Sequence, residues 1–147
     1  VIVIFAFDRI SKLYILNLAE TERYLDIYFN SFLNFHLIWN KGVGFGLFSS
    51  ETNFYYNVIT ILIALINIII LVMIIKCDDN KFLFLVMILG GSFGNLFDRF
   101  YYKAVPDFID VHYNGFHWFI FNVADVFISI GVICLIIIEL FFNKKTN

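Results

Sequence analysis

The sequence predicts an all-α membrane protein with four transmembrane helices and a small β-sheet at the membrane surface. Of its 147 residues, 61% are hydrophobic and only 15% are charged, whereas soluble domains are roughly 45–50% apolar. The apolar residues form runs about as long as one bilayer crossing. Between two of these runs the pattern changes to an alternation of apolar and polar residues, which is typical of a strand. We see no internal repeat or linker, and so expect a single domain over residues 1–147.

Four apolar segments are expected to form the helices, at about residues 1–19, 56–75, 82–99 and 119–142. The first is interrupted by Asp8, Arg9 and Lys12, which argues against a cleavable signal peptide. We expect it to be a first membrane helix whose opening residues are missing. The third contains Gly90 and Gly91, small residues that let neighbouring helices approach closely in lipid.

Two long connections, at about residues 20–54 and 100–118, should lie on one side of the membrane. The short polar hairpin at 76–81 and both termini should lie on the other side, because the number of crossings is even. The first connection alternates between apolar and polar side chains, namely Leu33, Asn34, Phe35, His36, Leu37 and, further on, Trp39 and Asn40. This alternation predicts a half-buried strand. Counting basic residues does not decide which side faces the cytoplasm.

Two acids stand out as a candidate catalytic pair, Asp107 and Asp125, each flanked by apolar residues. A carboxylate at a bilayer costs several kcal/mol to bury, so such a residue suggests a functional site. Two acids near one site retain a proton between them, as aspartic proteases require. The alternative is that each acid pairs with an Arg or Lys for structural reasons, and these residues alone leave both interpretations open.

Other polar residues are spaced to share helix faces with one another. The pairs are Asp8 with Lys12, Asn95 with Arg99, and Asn122 with Asp125. Residues three or four apart lie on one face of a helix. All lie toward the helix ends that meet the long connections, so they can converge at one depth with Asp107. Each amide alone is better explained by hydrogen bonding between helices, but their convergence favours a site.

The remaining residues favour neither nucleic acid nor metal as a partner. The net charge is −2, and no basic stripe exists to neutralise phosphates. The histidines, His36, His112 and His117, lack the spacing of a zinc protease, and neither Cys77 nor Cys134 joins them. We therefore expect no metal, no cofactor and no disulfide. The segment Gly42 to Gly46 lacks the following Lys-Ser/Thr of a phosphate-binding loop, and a tight surface turn explains it better.

Four ordered motifs resemble the lipoprotein signal peptidase (signal peptidase II) family. They are Asn40-x-Gly42-x-x-Phe45-Gly46, Gly90-Gly91-x-x-Gly94-Asn95-x-x-Asp98-Arg99, Val105-x-Asp107-Phe108 and Phe121-Asn122-x-Ala124-Asp125. Asp8 and Lys12 resemble the family's first-helix element. The resemblance covers nearly the whole chain, and Gly46 stands where many members carry Ser.

The resemblance implies an aspartyl endopeptidase of the bacterial inner membrane, with both termini cytoplasmic and the sheet and active site periplasmic. Its implied substrate is the diacylglyceryl-modified prolipoprotein in the membrane lipid, cut just before the lipobox cysteine. Asp107 and Asp125 match the catalytic positions. Positions that match substrate-binding or dyad-orienting residues are Asp8, Lys12, Asn40, Gly42, Asn95, Arg99, Asn122 and Ala124. No metal is required.

Two other classes of membrane protein compete with this interpretation. A non-catalytic scaffold or small transporter could use the polar layer as an ion or proton path, although transporters often show repeated halves. An intramembrane protease of the presenilin kind would carry Gly-x-Gly-Asp within a helix, which this sequence lacks.

Overall fold

The computed structural model describes residues 1–22, 26–42 and 53–142. Its elements are α1 (Ile2–Glu22), β1 (Asp26–Asn30), β2 (Leu33–Asn40), α2 (Asn53–Ile75), α3 (Lys81–Tyr102), β3 (Val105–Tyr113), β4 (Phe116–Phe121) and α4 (Val123–Phe142). The turn predicted at residues 42–46 lies, beyond Gly42, outside the described residues.

Three of the described helices are long and apolar enough to cross a membrane. They are Phe54–Ile75, Lys81–Tyr102 and Val123–Phe141. α1 has sufficient length, but Asp8, Arg9 and Lys12 interrupt its apolar character. The structure therefore shows a mainly helical protein with three candidate membrane helices, and a fourth crossing stays a prediction.

α3 lies at the centre of the helical part and packs against α1, α2 and α4. Glycine makes this possible where the backbones approach most closely. A Cβ atom on Gly91 would lie 2.5 Å from the backbone oxygen of Ala124, and one on Gly131 would lie 2.8 Å from that of Phe84. In lipid the hydrophobic effect does not drive helices together, and small residues allow the close van der Waals packing that does. The buried apolar cluster between these helices comprises Ile70, Leu85, Ile88 and Leu89.

The outer surface of α2 is apolar. Large side chains that are about half exposed or more follow one another along it, namely Ile61, Leu62, Leu65, Ile68 and Ile69. An exposed apolar surface of this extent is costly in water and favourable against acyl chains. α2 therefore presents this side to lipid.

The sheet is four-stranded and antiparallel in the order β1-β2-β3-β4, and α2 and α3 lie between β2 and β3 in the chain. β2 confirms the strand predicted from alternation. β3 and β4 are joined by Asn114 and Gly115, both with positive φ, the requirement of the tight hairpin turn that an Asn-Gly pair favours. One face of the sheet packs on α1, where Ile15 and Phe108 are buried.

The start of the fourth helix, expected at about residue 119, requires correction. Phe116–Phe121 forms β4, and α4 begins only at Val123. The aromatic and β-branched residues of this segment suit a strand, and they pair with β3 through partners such as Ile109 with Phe121. The expected connection at 100–118 thus contains β3 and the beginning of β4.

Candidate active site

Asp107 lies on β3, two residues after its start, and is held by two amides. The Asn40 Nδ2 atom donates to Asp107 Oδ2 at 2.8 Å, and the Asn122 Nδ2 atom donates to Asp107 Oδ1 at 2.6 Å. The orientation of both amides is fixed, because each amide oxygen accepts from a backbone N–H. Gly42 N donates to Asn40 Oδ1 and Asp125 N donates to Asn122 Oδ1. The carboxyl group of Asp107, 2% exposed, is thus rigidly placed.

Asp125 belongs to the reciprocal cap that begins α4. Asn122 Oδ1 accepts from Asp125 N, and Asp125 Oδ2 accepts from Asn122 N, both at 3.2 Å. This is the capping-box arrangement, which satisfies two backbone N–H groups at the first turn of a helix. The other carboxyl oxygen, Oδ1, accepts from Asn95 Nδ2 of α3 at 2.8 Å. Asn122 therefore contacts both acids.

The environment of Asp107 strongly favours its protonated form. Burial first, and then the neighbouring Asp125 carboxylate, raise the pKa of Asp107 to about 7 against the opposing effect of the hydrogen bonds from Asn40 and Asn122. Burial penalises the charged form because it removes the solvation of a carboxylate by water. A carboxyl group with a pKa near neutrality can donate and recover a proton under physiological conditions.

Both acids line one cavity of about 230 Å³, enclosed by α2, α3, α4 and the sheet. Its lining residues are Asn40, Ile63, Ser92, Asn95, Arg99, Val105, Asp107, Asn122, Asp125, Ile128 and Ser129. A second cavity of about 220 Å³ shares Asp125 and extends along α4 past Val126, Ser129, Ile130 and Ile133. The polar cavity therefore adjoins an apolar one, and Asp125 lies on their common wall.

A buried charge cluster on α1 and α3 supports Asn95 and the start of α4. Lys12 Nζ, fully buried, donates to Asp8 Oδ2 at 2.9 Å, to Asn95 Oδ1 at 2.8 Å and to Asp98 Oδ2 at 2.7 Å. Because Lys12 takes the Asn95 oxygen, the Asn95 amide group must point its Nδ2 at Asp125. Lys12 therefore orients a side chain that holds one of the acids.

Asp8 connects this cluster to the backbone of α4. Its Oδ1 atom accepts from Ala124 N at 3.1 Å, one of the N–H groups that the first turn of a helix leaves without an internal partner. Gly94 permits the approach, since a Cβ there would lie 2.5 Å from Asp8 Oδ2. Ala124, itself fully buried, thus acts through its backbone.

Arg99 ties the end of β2 to α3 at another side of the cavity. Its Nη2 atom donates to the backbone oxygen of Gly42, and its guanidinium lies over the Tyr56 ring, 5.5 Å from the centroid. The Tyr56 hydroxyl donates to the Arg99 backbone oxygen at 2.7 Å. Nε and Nη1 of Arg99 are buried without a hydrogen-bond partner among the described residues.

The structure thus brings the predicted site residues into one connected network, and three further members, Arg9, Asp98 and Tyr56, were assigned no role from the sequence. Asp98 is fully buried, where it pairs with Lys12 and Arg9, and Tyr56 supports Arg99. A charged residue inside the apolar third helix was the available signal for Asp98. Tyr56 gave no such signal, since tyrosine is common near membrane surfaces.

The histidines do not line the cavity of the two acids. His112 and His117 lie on β3 and β4 beside Asp110, and among the described residues this trio is a group whose geometry could hold a metal ion. It is separate from the residues that line the polar cavity.

The fold and the site together define a polytopic membrane protein in which two buried carboxyl groups, one on the sheet and one at the start of a helix, line the same cavity. Over residues 1–142 the chain matches the family model described as signal peptidase (SPase) II. It is 61% identical over 148 residues to a lipoprotein signal peptidase of Pelagibacter ubique (strain HTCC1062), covering 100% of this chain and 89% of that protein. It is 40% identical to the lipoprotein signal peptidase of Anaplasma phagocytophilum (strain HZ), covering 99% and 92%.

Solved structures agree with this match. A bacterial membrane enzyme determined by the in meso method at 2.3 Å is 29% identical and superimposes with a TM-score of 0.72, covering 99% of this chain and 89% of that one. A second, at 1.9 Å, gives a TM-score of 0.68. The chain belongs to the signal peptidase II family. It is therefore a multi-pass membrane protease. This membership argues against the alternative of a non-catalytic scaffold or a small transporter.

Proposed function

We propose that the chain removes signal peptides from prolipoproteins by an aspartic mechanism in which Asp107 and Asp125 are the catalytic residues. Membership of the family shows that the chain is a lipoprotein signal peptidase. The observation that supports the aspartic mechanism is the single cavity lined by both acids, together with the Asn122 side chain that contacts each of them. The other proposed site residues position this pair or the substrate.

The reaction follows from the different settings of the two acids. Asp107, which keeps its proton to about pH 7, donates it to the oxygen of the scissile carbonyl. Asp125, ionised, takes a proton from a water molecule, whose oxygen attacks the carbonyl carbon. In the collapse of the resulting gem-diol, Asp125 protonates the leaving nitrogen, the C–N bond breaks, and Asp107 recovers a proton. This division between an acid and a base is general for carboxyl pairs of unequal pKa. No step calls for a metal.

The supporting residues take distinct roles in this proposal. Asn40 and Asn122 hold Asp107, Asn95 holds Asp125, and Lys12 and Asp8 maintain Asn95 and the start of α4. We assign to Arg99 the binding of a substrate carbonyl group, because its Nε and Nη1 atoms are buried without a partner among the described residues and a peptide carbonyl group needs a hydrogen-bond donor once it leaves water. The Gly42 carbonyl group fixes the Arg99 side chain.

The apolar cavity beside Asp125 suits the lipid-bearing part of the substrate. Its wall along α4 is formed mainly by Val126, Ile130 and Ile133. We infer that acyl chains of a diacylglyceryl-modified cysteine lie there, with the scissile bond before that cysteine reaching the polar cavity. In this arrangement the enzyme acts in the bacterial inner membrane, with the sheet on the periplasmic side and both termini in the cytoplasm.

The pH dependence of cleavage tests the assignment of Asp107 as the acid. Because Asp107 acts in its protonated form and its pKa is raised to about 7, kcat/KM should fall as the pH rises through about 7. The Asn40 hydrogen bond lowers that pKa, so Asn40→Ala should move the descending limb to higher pH. Initial rates across pH 5–9 would measure the descending limb of kcat/KM in the starting protein and in Asn40→Ala.

Asn34→Ala, on the same strand but outside the cavity, is the control and should leave the limb in place. A limb that stays unmoved in Asn40→Ala would assign the titrating group to a residue other than Asp107.

The lipid requirement is tested by comparing two peptides that share one signal helix, one with a diacylglyceryl cysteine and one with an unmodified cysteine. Both are reconstituted in bilayers, so that the anchor supplies equal local concentration. The modified peptide should be cut at least about tenfold faster, equivalent to about 1.4 kcal/mol of transition-state stabilisation. Equal rates would contradict the placement of acyl chains beside Asp125, while leaving the acid pair as the catalytic group.

A further inference from the structure

The polar face of the sheet carries a cluster of three potential metal ligands. Asp110 and His112 are two residues apart on β3, so their side chains emerge on one face, and His117 is the cross-strand partner of His112 on β4. One ligand atom from each of the three lies within 4.8 Å of the others. None of the three lines the cavity of the two catalytic acids.

Two polar atoms in this cluster are left without the partners that buried groups normally have. Asp110, only 3% exposed, uses Oδ2 to contact His117 Nδ1 at 2.7 Å. Its Oδ1 atom and the Nδ1 atom of His112 are buried without a hydrogen-bond partner in the part of the chain that the structure describes. Buried polar atoms of this kind are rare, and an ion is one of the things that satisfies them.

The ligand types and their spacing suit a divalent transition metal. Imidazole nitrogen binds zinc at about 2.0–2.1 Å and carboxylate oxygen at about 2.0–2.2 Å, so two ligands of a tetrahedral ion lie roughly 3.3 Å apart. The ligand atoms of Asp110, His112 and His117 lie within 4.8 Å of one another, and small rotations of the side chains would bring them to that spacing. The His112 and His117 rings already stack, with centroids 5.2 Å apart.

The local backbone preorganises these ligands. Asn114 and Gly115 form the turn between β3 and β4, and Tyr113 and Phe116 are the strand pair next to it. His112 and His117 form the next pair along the hairpin. A two-residue turn with positive φ at both positions fixes the register of a hairpin. The two imidazoles are therefore held opposite each other without any contribution from the ion.

We propose that Asp110, His112 and His117 bind a zinc ion on the polar face of the sheet, with water in the fourth position. A hydrogen-bonded ion pair between His117 and Asp110 accounts for one contact in this cluster. It leaves Asp110 Oδ1 and His112 Nδ1 unexplained, whereas a shared ion uses all three side chains. The site is independent of the proposed aspartic mechanism.

The ion would act as a clamp on the hairpin that presents the catalytic acids. β3 carries Asp107 near its start, and β4 leads directly into Asn122, the cap of α4. Binding an ion to the folded hairpin alone stabilises the folded state by mass action. Zinc should therefore raise the unfolding temperature without taking part in cleavage.

The test is zinc binding by the full chain in detergent, purified with a tag that contains no histidine and stripped with chelator. Every protein carries Cys77→Ser, because Cys77 Sγ lies 3.3 Å from Asp79 Oδ1 and a thiolate is itself a zinc ligand. We expect one zinc ion per chain by calorimetry and elemental analysis. His117→Ala and His112→Ala should each lower the affinity at least about tenfold, since even outer partners of a metal site contribute that much.

His36→Ala, which removes a histidine of the same sheet outside the cluster, is the matched control and should bind zinc like the starting protein. His117 has a side chain that is 57% exposed, so its replacement keeps the test valid if the His112 variant fails to fold. No stoichiometric zinc in the starting protein, or equal affinity in His117→Ala, would overturn the proposal.

Cleavage in the presence of excess chelator separates this site from the catalytic one. We expect the chelator to abolish the zinc-dependent rise in unfolding temperature while cleavage persists. Cleavage that is lost on chelation and restored by zinc in the starting protein, but not in His117→Ala, would overturn the structural role assigned to the ion.

Discussion

Replacing either of the two proposed catalytic acids by its amide, Asp107→Asn or Asp125→Asn, should abolish cleavage and leave the protein folded. The amide keeps the size of the side chain but removes one proton-transfer group. Such a group contributes about 10²- to 10⁴-fold to the rate, and two groups that act as a unit each cost nearly the full effect. We therefore expect kcat to fall by at least about 10³-fold in either variant and no further in the double variant.

Asp26→Asn, which removes an acid of the same sheet on the edge strand β1, is the control for a change of charge and should retain activity. The unfolding temperature of each variant shows whether the fold is kept. Near-normal turnover in Asp107→Asn or Asp125→Asn would remove that residue from the catalytic pair.

Lys12→Met should produce the largest loss of stability among single substitutions of the network. Lys12 is fully buried and bonded to Asp8, Asn95 and Asp98. Without it, Arg9 alone faces two buried carboxylates. Removing one partner of a buried ion pair typically costs about 3–5 kcal/mol, because the remaining charge is left uncompensated. Denaturant unfolding in detergent would measure this loss.

The matched control is Lys81→Met, which breaks an ion pair with Glu139 of similar length, 2.9 Å, at the exposed hairpin end. Solvent screens such a pair, so little stability should be lost. Asp98→Asn, added to Lys12→Met, should restore part of the stability by removing one unpaired charge. Equal stability of Lys12→Met and Lys81→Met would contradict the structural role of the buried cluster.

The sequence predicted the helices well where apolar character alone decides the structure. From Val58 to Ile75, α2 is apolar except for Thr60 and Asn67, and this composition leaves no competing interpretation. The boundary between β4 and α4 was missed because Phe116 to Phe121 is as apolar as the helix that follows. The signal that separates them is Asn122 with Asp125, three residues later, which is a helix cap as well as part of the site.

Pairing between helices could not be predicted at the same level. The sequence shows that Asp8 and Lys12 share a face, but it does not show which residues of α3 they meet. That register is set by Gly90 and Gly94, which let α1 approach α3, and by a buried acid, Asp98, whose charge needed Lys12 and Arg9. The site residues were therefore predicted from the motifs, whereas the ion-pair partners of Asp8 and Lys12 on α3 are given only by the structure.

The capping of α4 by Asn122 has a consequence for how this enzyme can be altered. The Asn122 side chain closes the first turn of α4 with its oxygen and donates to Asp107 with its nitrogen, so the helix cap and the proposed catalytic pair depend on the same side chain. A mutational scan will find folding defects and chemical defects inseparable at this position. An inactive variant that keeps the native fold should therefore be made by changing Asp107 or Asp125 and not Asn122.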